Sequence, residues 1–434
     1  MVKVQTICRV PEAMTRESTS DIYKIHRNPD STLHPLQQAR EYKRALNAAK
    51  LEKIFSKPFV SALSEHTDSI FALSRSDKDL SLLLSGSANG EVKLWDLSKM
   101  ENIKSFQAHT GQVSGVSFRQ GLMVSAGTDC IVNLWKENGK EGKYKSSMPL
   151  TGIDLSWTEN QFAVSGQDGV DLWDIKRSSP IMHFATGTDT VSKCKFNPGE
   201  NNLICAVASD RCICLIDSRS GSVIHKVMLA MKSNDVSWNP REPINFTVAN
   251  EDSNLYSFDM RVLTEASKVH KDHLNSVTSV SYSPTGREFA SGSFDKTVRI
   301  FDIRDGRSRE VYHTRRMQWV YSVEYSGDGK FVLTGSDDTN IRVWKAKAHV
   351  PLKVMLPKEQ EAMWYRERLK RKYGLVPEMR RLLKHRHLPR YLYSMKRQRH
   401  VMSQSKWRKE KNVQAHTKAE NLQIVQEKKK VVVE

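Results

Sequence analysis

Residues 291–302 read SGSFDKTVRIFD, and six further stretches of the chain can be laid on them. They are SGSANGEVKLWD (85–96), SAGTDCIVNLWK (125–136), SGQDGVDLWD (165–174), AVASDRCICLID (206–217), VANEDSNLYSFD (248–259) and TGSDDTNIRVWK (334–345). The apolar or aromatic residue near each end falls at 95, 135, 173, 216, 258, 301 and 344, in steps of 40, 38, 43, 42, 43 and 43 residues. A period of this size means one supersecondary unit copied along the chain. Inside the unit, VKLW, VNLW, VRIF and IRVW alternate, so Val92 and Leu94 point one way and Lys93 the other, as on a strand. Upstream a second strand ends in Phe118, Trp157, Phe196, Trp238, Tyr282 or Tyr325. A polar turn lies between strands, centred on Asp129, Asp168, Asp210, Asp252, Asp295 or Asp338, with Asn89 in the first copy. Such short side chains accept nearby backbone N–H groups and so suit tight turns.

Period and motif resemble the WD-repeat propeller family. Seven copies imply an all-β, seven-bladed β-propeller, each blade a four-stranded sheet around a central channel. In that family a His, a Ser or Thr, the turn Asp and the Trp form a buried hydrogen-bonded set. Only one repeat matches it fully, through His109, Ser125, Asp129 and Trp135. The first repeat offers His66, Ser85 and Trp95, and the sixth His273, Ser291 and Asp295 with Phe301 in place of Trp. The other four lack the His, which leaves the bracing of their blades open. His109 beside Asp129 reads as structural rather than as acid–base chemistry, because the positions recur through the repeats. The ring must also close. The strand-like segment Phe59–Leu63 is predicted to add the outermost strand to the last blade, which leaves no unpaired edge there.

The 434 residues carry a net charge of +19, unevenly spread. Residues 345–434 hold 25 Lys and Arg against 8 Asp and Glu, and residues 1–60 hold 11 against 6. Residues 61–344 hold 32 against 35. A near-neutral body with two basic ends points to a polyanionic partner at those ends. Six cysteines without regular spacing, with Cys212 and Cys214 on one strand face, read as small core residues rather than metal ligands, and predict a reduced, intracellular compartment. No run approaches a signal peptide or a membrane span. The expected division is 1–57 as a basic N-terminal extension, 58–346 as the propeller, and 347–434 as a basic helical domain that loses order toward its end.

HPLQQAREYKRALNAAKLEKIF (34–55) reads as a helix with Pro35 in its first turn and a narrow stripe of Ala39, Tyr42, Leu46 and Ala49. It either lies on the propeller or docks a partner. After the repeats, Pro357 opens a helix that Gly374 stops, with Ala362, Tyr365, Leu369 and Tyr373 on one face. Pro377 opens a second helix, and a third starts near Arg390. MRRLLKHRHLPRYLYSMKRQRH (379–400) has no acidic residue. Leu382, Leu383, Tyr391 and Leu392 within it read as packing residues. Arg380, Arg381, Lys384, Arg386, Arg390, Lys396, Arg397 and Arg399 are candidate RNA or ribonucleoprotein contacts.

HRNPDSTLHPLQQAREYKRALNAAKLEKIFSKPFV before the propeller, and VPLKVMLPKEQEAMWYRERLKRKYG with the 379–400 stretch after it, resemble the WD repeat and SOF domain-containing family and its Sof1-like domain. The resemblance covers essentially the whole chain. It implies a nucleolar, non-catalytic scaffold in the small nucleolar ribonucleoprotein of the small-subunit processome, needed for maturation of small-subunit ribosomal RNA. Its implied partners are precursor rRNA and the proteins of that particle, with no cofactor, membrane or small-molecule substrate. Clustered cations bind RNA backbone by releasing counterions, and neighbouring aromatics stack on unpaired bases. KRQR (396–399) and KWRKEK (406–411) also suit nuclear import.

A second function is visible in ICLIDSR, YSFDMR and VRIFDIR, which set Arg219, Arg261 and Arg304 two residues past the repeat Asp. This resembles the box by which WD-repeat substrate receptors dock on the adaptor of cullin-4 ubiquitin ligases, although Ile216, Phe258 and Phe301 stand where the box has Trp. No Walker loop, HExxH or nucleophile elbow occurs, and GDGK (327–330) falls at a hairpin turn.

Overall fold

The computed structural model of the chain describes residues 36–136, 139–187, 189–418 and 426–433. Residues 34 and 35, where the N-terminal helix is expected to begin, and 419–425 lie outside the described residues. The chain forms two compact units. One gathers the described part of Met1–Ser56 with His349–His385; the other gathers Lys57–Ala348 with the described part of Arg386–Glu434. The boundaries near 57 and 346 lie within two residues of the expected ones, but the expected 347–434 domain is divided after His385, and its first part is grouped with the N-terminal segment.

The second unit is a seven-bladed propeller. Its sheets are blade 1 (Ile70–Gln107), blade 2 (Val113–Lys145), blade 3 (Leu150–Ala185), blade 4 (Val191–Leu229), blade 5 (Ser233–Lys271), blade 6 (Val277–Tyr312) and blade 7 (Val320–Lys345). Blade 7 supplies three strands, and Phe59–Leu63 is its outermost, antiparallel to Ile341–Lys345, as predicted. Phe59 packs edge-on against Trp344 at 5.6 Å, and Leu63 is buried in the seam to blade 1. Trp157 lies past the end of its strand, which stops at Leu155.

The repeat aromatics explain why the ring holds. Seven buried clusters fill the seven seams between blades. In each, the residue at 95, 135, 173, 216, 258, 301 or 344 joins side chains of the preceding blade. Trp95 and Trp344 are fully buried. Truncating such a side chain costs about 3–5 kcal/mol. Both faces of these strands are therefore covered. Cys212 and Cys214 face the seam to blade 3 while Ile213 and Leu215 face the seam to blade 5.

A second set of bonds joins the innermost strands. Ser74 Oγ accepts the Phe118 N–H at 3.0 Å, Ser117 Oγ the Leu155 N–H at 3.2 Å, Asp154 Oδ2 the Phe196 N–H at 2.9 Å, and Ser281 Oγ the Tyr325 N–H at 3.3 Å. The same strand position thus ties blade 1 to 2, 2 to 3, 3 to 4 and 6 to 7. The Asp turns are equally regular. Gly90, Cys130, Arg211, Ser253, Lys296 and Thr339, each following the turn Asn or Asp, sit at φ between 60° and 85°. The preceding side chain makes that conformation tolerable: Asp210, Asp252 and Asp295 accept the N–H two residues on at 3.0, 2.9 and 3.0 Å.

The first unit contains helices α1 (Gln37–Phe55), α2 (Pro357–Lys372) and α3 (Pro377–Lys384). The proline openings at 357 and 377 are as expected. Ala45, Ala49, Leu369 and Met379 form its core, with Leu46, Tyr373, Val376 and Leu383 packed around them. Ala45 is buried where Ala39 was expected, because the contact stripe runs through 42, 45, 46 and 49; Ala39, Ala362 and Tyr365 are exposed. Tyr42 donates to Glu378 at 2.7 Å and Lys372 to Glu41 at 2.7 Å. Within its unit α1 packs on the C-terminal helices, an arrangement neither expectation for it included.

Candidate nucleic-acid interface

The WD set forms as read. His109 Nε2 and Ser125 Oγ lie 2.9 Å apart, His109 Nδ1 is 3.0 Å from Asp129, and Trp135 Nε1 donates to Ser125 Oγ at 3.2 Å. In blade 1, His66 and Trp95 share Ser85 at 2.6 and 2.7 Å. Burial, with Lys93 adding to it, pushes the His66 imidazole down to about 4, so it is neutral and structural.

The blades without that His are braced by other residues. In blade 7, Arg342 grips Asp338 and donates to Ser336 at 2.8 Å. In blade 4, Lys226 pairs with Asp210 at 3.1 Å. In blade 5, His270 reaches Ser257 at 3.0 Å, and burial lowers its imidazole to about 4. In blade 3, His183 meets Asp171 at 2.6 Å. Lys93, Asn133, Asp171, Ser257, Arg299 and Arg342 share the polar position of the third strand, and all are buried. The alternation in VKLW is real, but its polar side faces the neighbouring blade.

The channel holds charges that the repeat pattern did not reveal. They come from alternate positions of the innermost strands, where charged residues inside a strand were the available signal. Arg119 meets Asp154 at 3.3 Å and stacks over Trp157 at 3.9 Å. Lys195 reaches the same carboxylate at 3.3 Å, and Arg75 pairs with Glu324 at 3.6 Å. Asp235 accepts from Ser279 and the Val280 N–H, both at 2.9 Å. Lys193 donates to the Ser114 carbonyl at 2.8 Å. These residues line a cavity of about 170 Å³. Asp77 also lines it, so four cations face four carboxylates and the cavity offers no formal net charge to a ligand. Burial pushes the Cys194 and Cys214 thiols up to about 12, and among the described residues no His, Cys, Asp or Glu group is arranged to hold a metal.

The basic stretch 379–400 is divided between the two units. Arg380, Arg381 and Lys384 are exposed in the first, while Leu383 packs in its core. In the second, helix α4 (Arg390–His416) is held on blade 6. Leu388 and Leu392 are buried, Tyr391 donates to the Asp295 carbonyl at 2.8 Å, Arg399 donates to the His273 carbonyl, and Arg386 reaches the Ser308 carbonyl at 3.5 Å. Arg386 and Arg399 are thus turned toward the propeller. Arg390, Lys396 and Arg397 are exposed. Beyond Arg399 every residue of α4 is exposed. The loss of order expected toward the end does not begin there: α4 runs to His416 because its exposed part is rich in helix formers.

The face of α4 away from these anchors carries Tyr393, Arg397, His400, Trp407, Arg408 and Lys411 at helical spacing. Tyr393 is 50% and Trp407 59% exposed, and Lys411 sits 4.9 Å over the Trp407 ring. Trp407, Arg408 and Lys411 extend the candidate set; only the import reading of KWRKEK had marked them.

Arg219, Arg261 and Arg304 are exposed at equivalent turns of blades 4, 5 and 6. Their backbone N–H groups donate to Asp217, Asp259 and Asp302 at 2.9, 3.0 and 3.0 Å. The same turn occurs at Asp96 with Ser98 and at Asp174 with Lys176, so it belongs to the repeat. What sets the three apart is the guanidinium. That of Arg261 forks onto Asp259 at 3.1 and 2.9 Å.

Comparison with known proteins agrees with this anatomy. The Sof1-like domain matches residues 346–432. The WD domain, G-beta repeat, matches 57–96, 100–136, 265–302 and 310–345, which fall on blades 1, 2, 6 and 7. The chain is 44% identical to DDB1- and CUL4-associated factor 13 of Danio rerio and 43% identical to that of Homo sapiens, over 100% of this chain and 99% of each relative. It is 40% identical to the Dictyostelium discoideum protein of that name, over 95% of both chains.

Proposed function

This chain belongs to the WD-repeat family that carries a Sof1-like domain, and from that membership we propose that it is a non-catalytic scaffold in the maturation of small-subunit ribosomal RNA. On this reading it works in the nucleolus, within the small nucleolar ribonucleoprotein of the small-subunit processome. The propeller offers rims and edges to neighbouring proteins, and the basic helices tie it to precursor rRNA. The observation that carries the reading is the outer face of α4, where exposed cations alternate with Tyr393 and Trp407 and no carboxylate interrupts them. Cations there neutralise phosphates, and the rings stack on unpaired bases. The decisive experiment crosslinks the full chain to RNA in cells and compares it with a chain carrying Arg397→Gln, Arg408→Gln and Lys411→Gln. Crosslinks to small-subunit precursor should fall severalfold, and unprocessed precursor should accumulate. Undiminished crosslinks and normal processing would remove this reading.

A second reading is favoured by one observation: three arginines are displayed at the same turn of consecutive blades. On this reading the chain docks, through Arg219, Arg261 and Arg304, on the adaptor of a cullin-4 ligase. The name of its relatives, DDB1- and CUL4-associated factor 13, supports it. Arg261→Ala with Arg304→Ala should abolish capture of the adaptor while precursor-rRNA particles still assemble; retained capture would exclude it.

A further inference from the structure

Among the described residues six sheets of the propeller have four strands, and blade 4 has a fifth. That strand is Val432–Val433, antiparallel to Met228 and Leu229 at the end of blade 4's outer strand. The Ala230 N–H donates to the Val431 carbonyl at 2.9 Å, and the N–H of the buried Ala266 donates to the Lys428 carbonyl at 3.2 Å. Val431 is buried in the seam between blades 4 and 5 with Leu229, Leu263 and Ala266. Glu427 pairs with Lys271 of blade 5, and Lys430 lies 3.9 Å from Glu410 of α4.

The chain has therefore placed a short peptide on its own sheet edge in the manner of strand addition: main-chain bonds for affinity and one side-chain pocket for selection. The attachment is slight. It amounts to a two-residue ladder, two further main-chain bonds, one buried valine and two exposed ion pairs, beside a run of exposed lysines. Phe59–Leu63 on blade 7 has five residues and an aromatic contact by comparison. A contact of this size opens at a small fraction of the global unfolding free energy. The edge beneath it, with Ala230 and Ala266 as donors and a valine-sized pocket in the seam, stays formed because blades 4 and 5 build it.

We propose that the outer edge of blade 4 is a binding site for a short extended peptide of β-branched aliphatic residues preceded by lysines, and that residues 427–433 fill it in cis as an exchangeable plug. The site is independent of the RNA face of α4 and of the arginine turns. A partner strand of the same chemistry takes the edge when the plug leaves.

The test uses the full chain carrying Val431→Asp, which ejects the plug, and a fluorescent peptide of residues 426–433 as probe. The peptide should bind the variant chain at least about tenfold more tightly than the intact chain, whose edge is filled. A peptide carrying the same Val431→Asp change should bind neither. A variant chain with an unchanged melting curve and no gain in binding overturns the proposal, as does equal binding of the altered peptide. If the variant does not fold, hydrogen exchange on the intact chain decides. Ala230 and Ala266 amides exchanging at least about tenfold faster than the interior of Ser222–Leu229 support the plug; equal protection overturns it. Light scattering should give a monomer, since a dimer that exchanges tails would overturn occupation in cis.

Discussion

In blade 2 the turn carboxylate of Asp129 is held by His109, which also reaches Ser125. In blade 7 the corresponding carboxylate of Asp338 is held by Arg342, which also reaches Ser336. The histidine comes from the loop before the blade. The arginine comes from the blade's own third strand. The requirement common to both is a donor that satisfies a largely buried carboxylate and ties the turn to the sheet. An imidazole meets it with a group that is neutral near pH 7, and a guanidinium with a fixed charge. The ring thus tolerates different chemistries in its blades so long as the turn keeps a partner, and acid, mutation and closure should act on the two kinds of blade differently.

Closure separates them most. Deleting residues 58–64 removes the outer strand of blade 7 and the cover of Trp344, and should unfold the propeller cooperatively, whereas blade 2 has all its strands in one stretch. An unchanged melting curve would refute this. Next comes the brace itself. Arg342→Met leaves the Asp338 carboxylate without its charged partner, with Ser336 as its remaining side-chain donor, and should cost about 3–5 kcal/mol. His109→Gln keeps a donor and should cost about 1–2 kcal/mol. Chemical denaturation ranks the two, and equal losses would mean the braces are equivalent.

Acid should then act on the histidine blades first. The imidazoles of His66 and His270 are lowered to about 4, so the unfolded chain takes up protons at a higher pH than the folded one. Their stabilising arrangement is complete above the ordinary imidazole range and is lost as pH falls from about 6.5 toward 4. By pH 5 the loss is on the order of 2 kcal/mol for each. For Asp338, burial opposes ionisation, but Arg342 and Ser336 hold the carboxyl below its ordinary value. Its contribution lasts above the ordinary carboxyl range and disappears only in stronger acid. Hydrogen exchange at pH 5 should show blades 1 and 5 loosening while blade 7 keeps its protection; uniform loosening would contradict the assignment. The smallest effect is expected at Arg304→Ala, an exposed turn whose backbone bond to Asp302 survives the change. Stability should move by less than about 0.5 kcal/mol, so any lost adaptor capture would be a surface effect.

The propeller was legible because its Asp or Asn turn, the large apolar or aromatic residue after it and its strand alternation recur seven times, and recurrence separates a packing demand from chance. Arg342 and His270 were not recognised as braces because they replace a family residue from a different element of the blade. Lys93 was read correctly as alternating, but its surroundings were not legible, since one strand does not reveal that both faces are covered. The channel charges were hidden for a related reason: they come from different repeats, and only the ring brings Arg119, Asp154 and Lys195 together. In the basic tail the cations were evident, but which of them turn inward depended on the docking of α4. Arg386 and Arg399 look like their neighbours in sequence and differ from them only in facing blade 6.

The strand Phe59–Leu63 also sets a schedule for biosynthesis. It leaves the ribosome early, and its partner Trp344 follows 285 residues later. At ~5–20 residues per second the strand waits roughly 15–60 s with its edge uncovered. During that interval six blades can stack but the circle cannot close, so the nascent chain is an open arc with a sticky strand at one end. Chaperones that shield extended edges have their clearest target there, and ribosome profiling of chaperone-bound nascent chains should show capture beginning near residue 100 and ending after residue 345 has emerged.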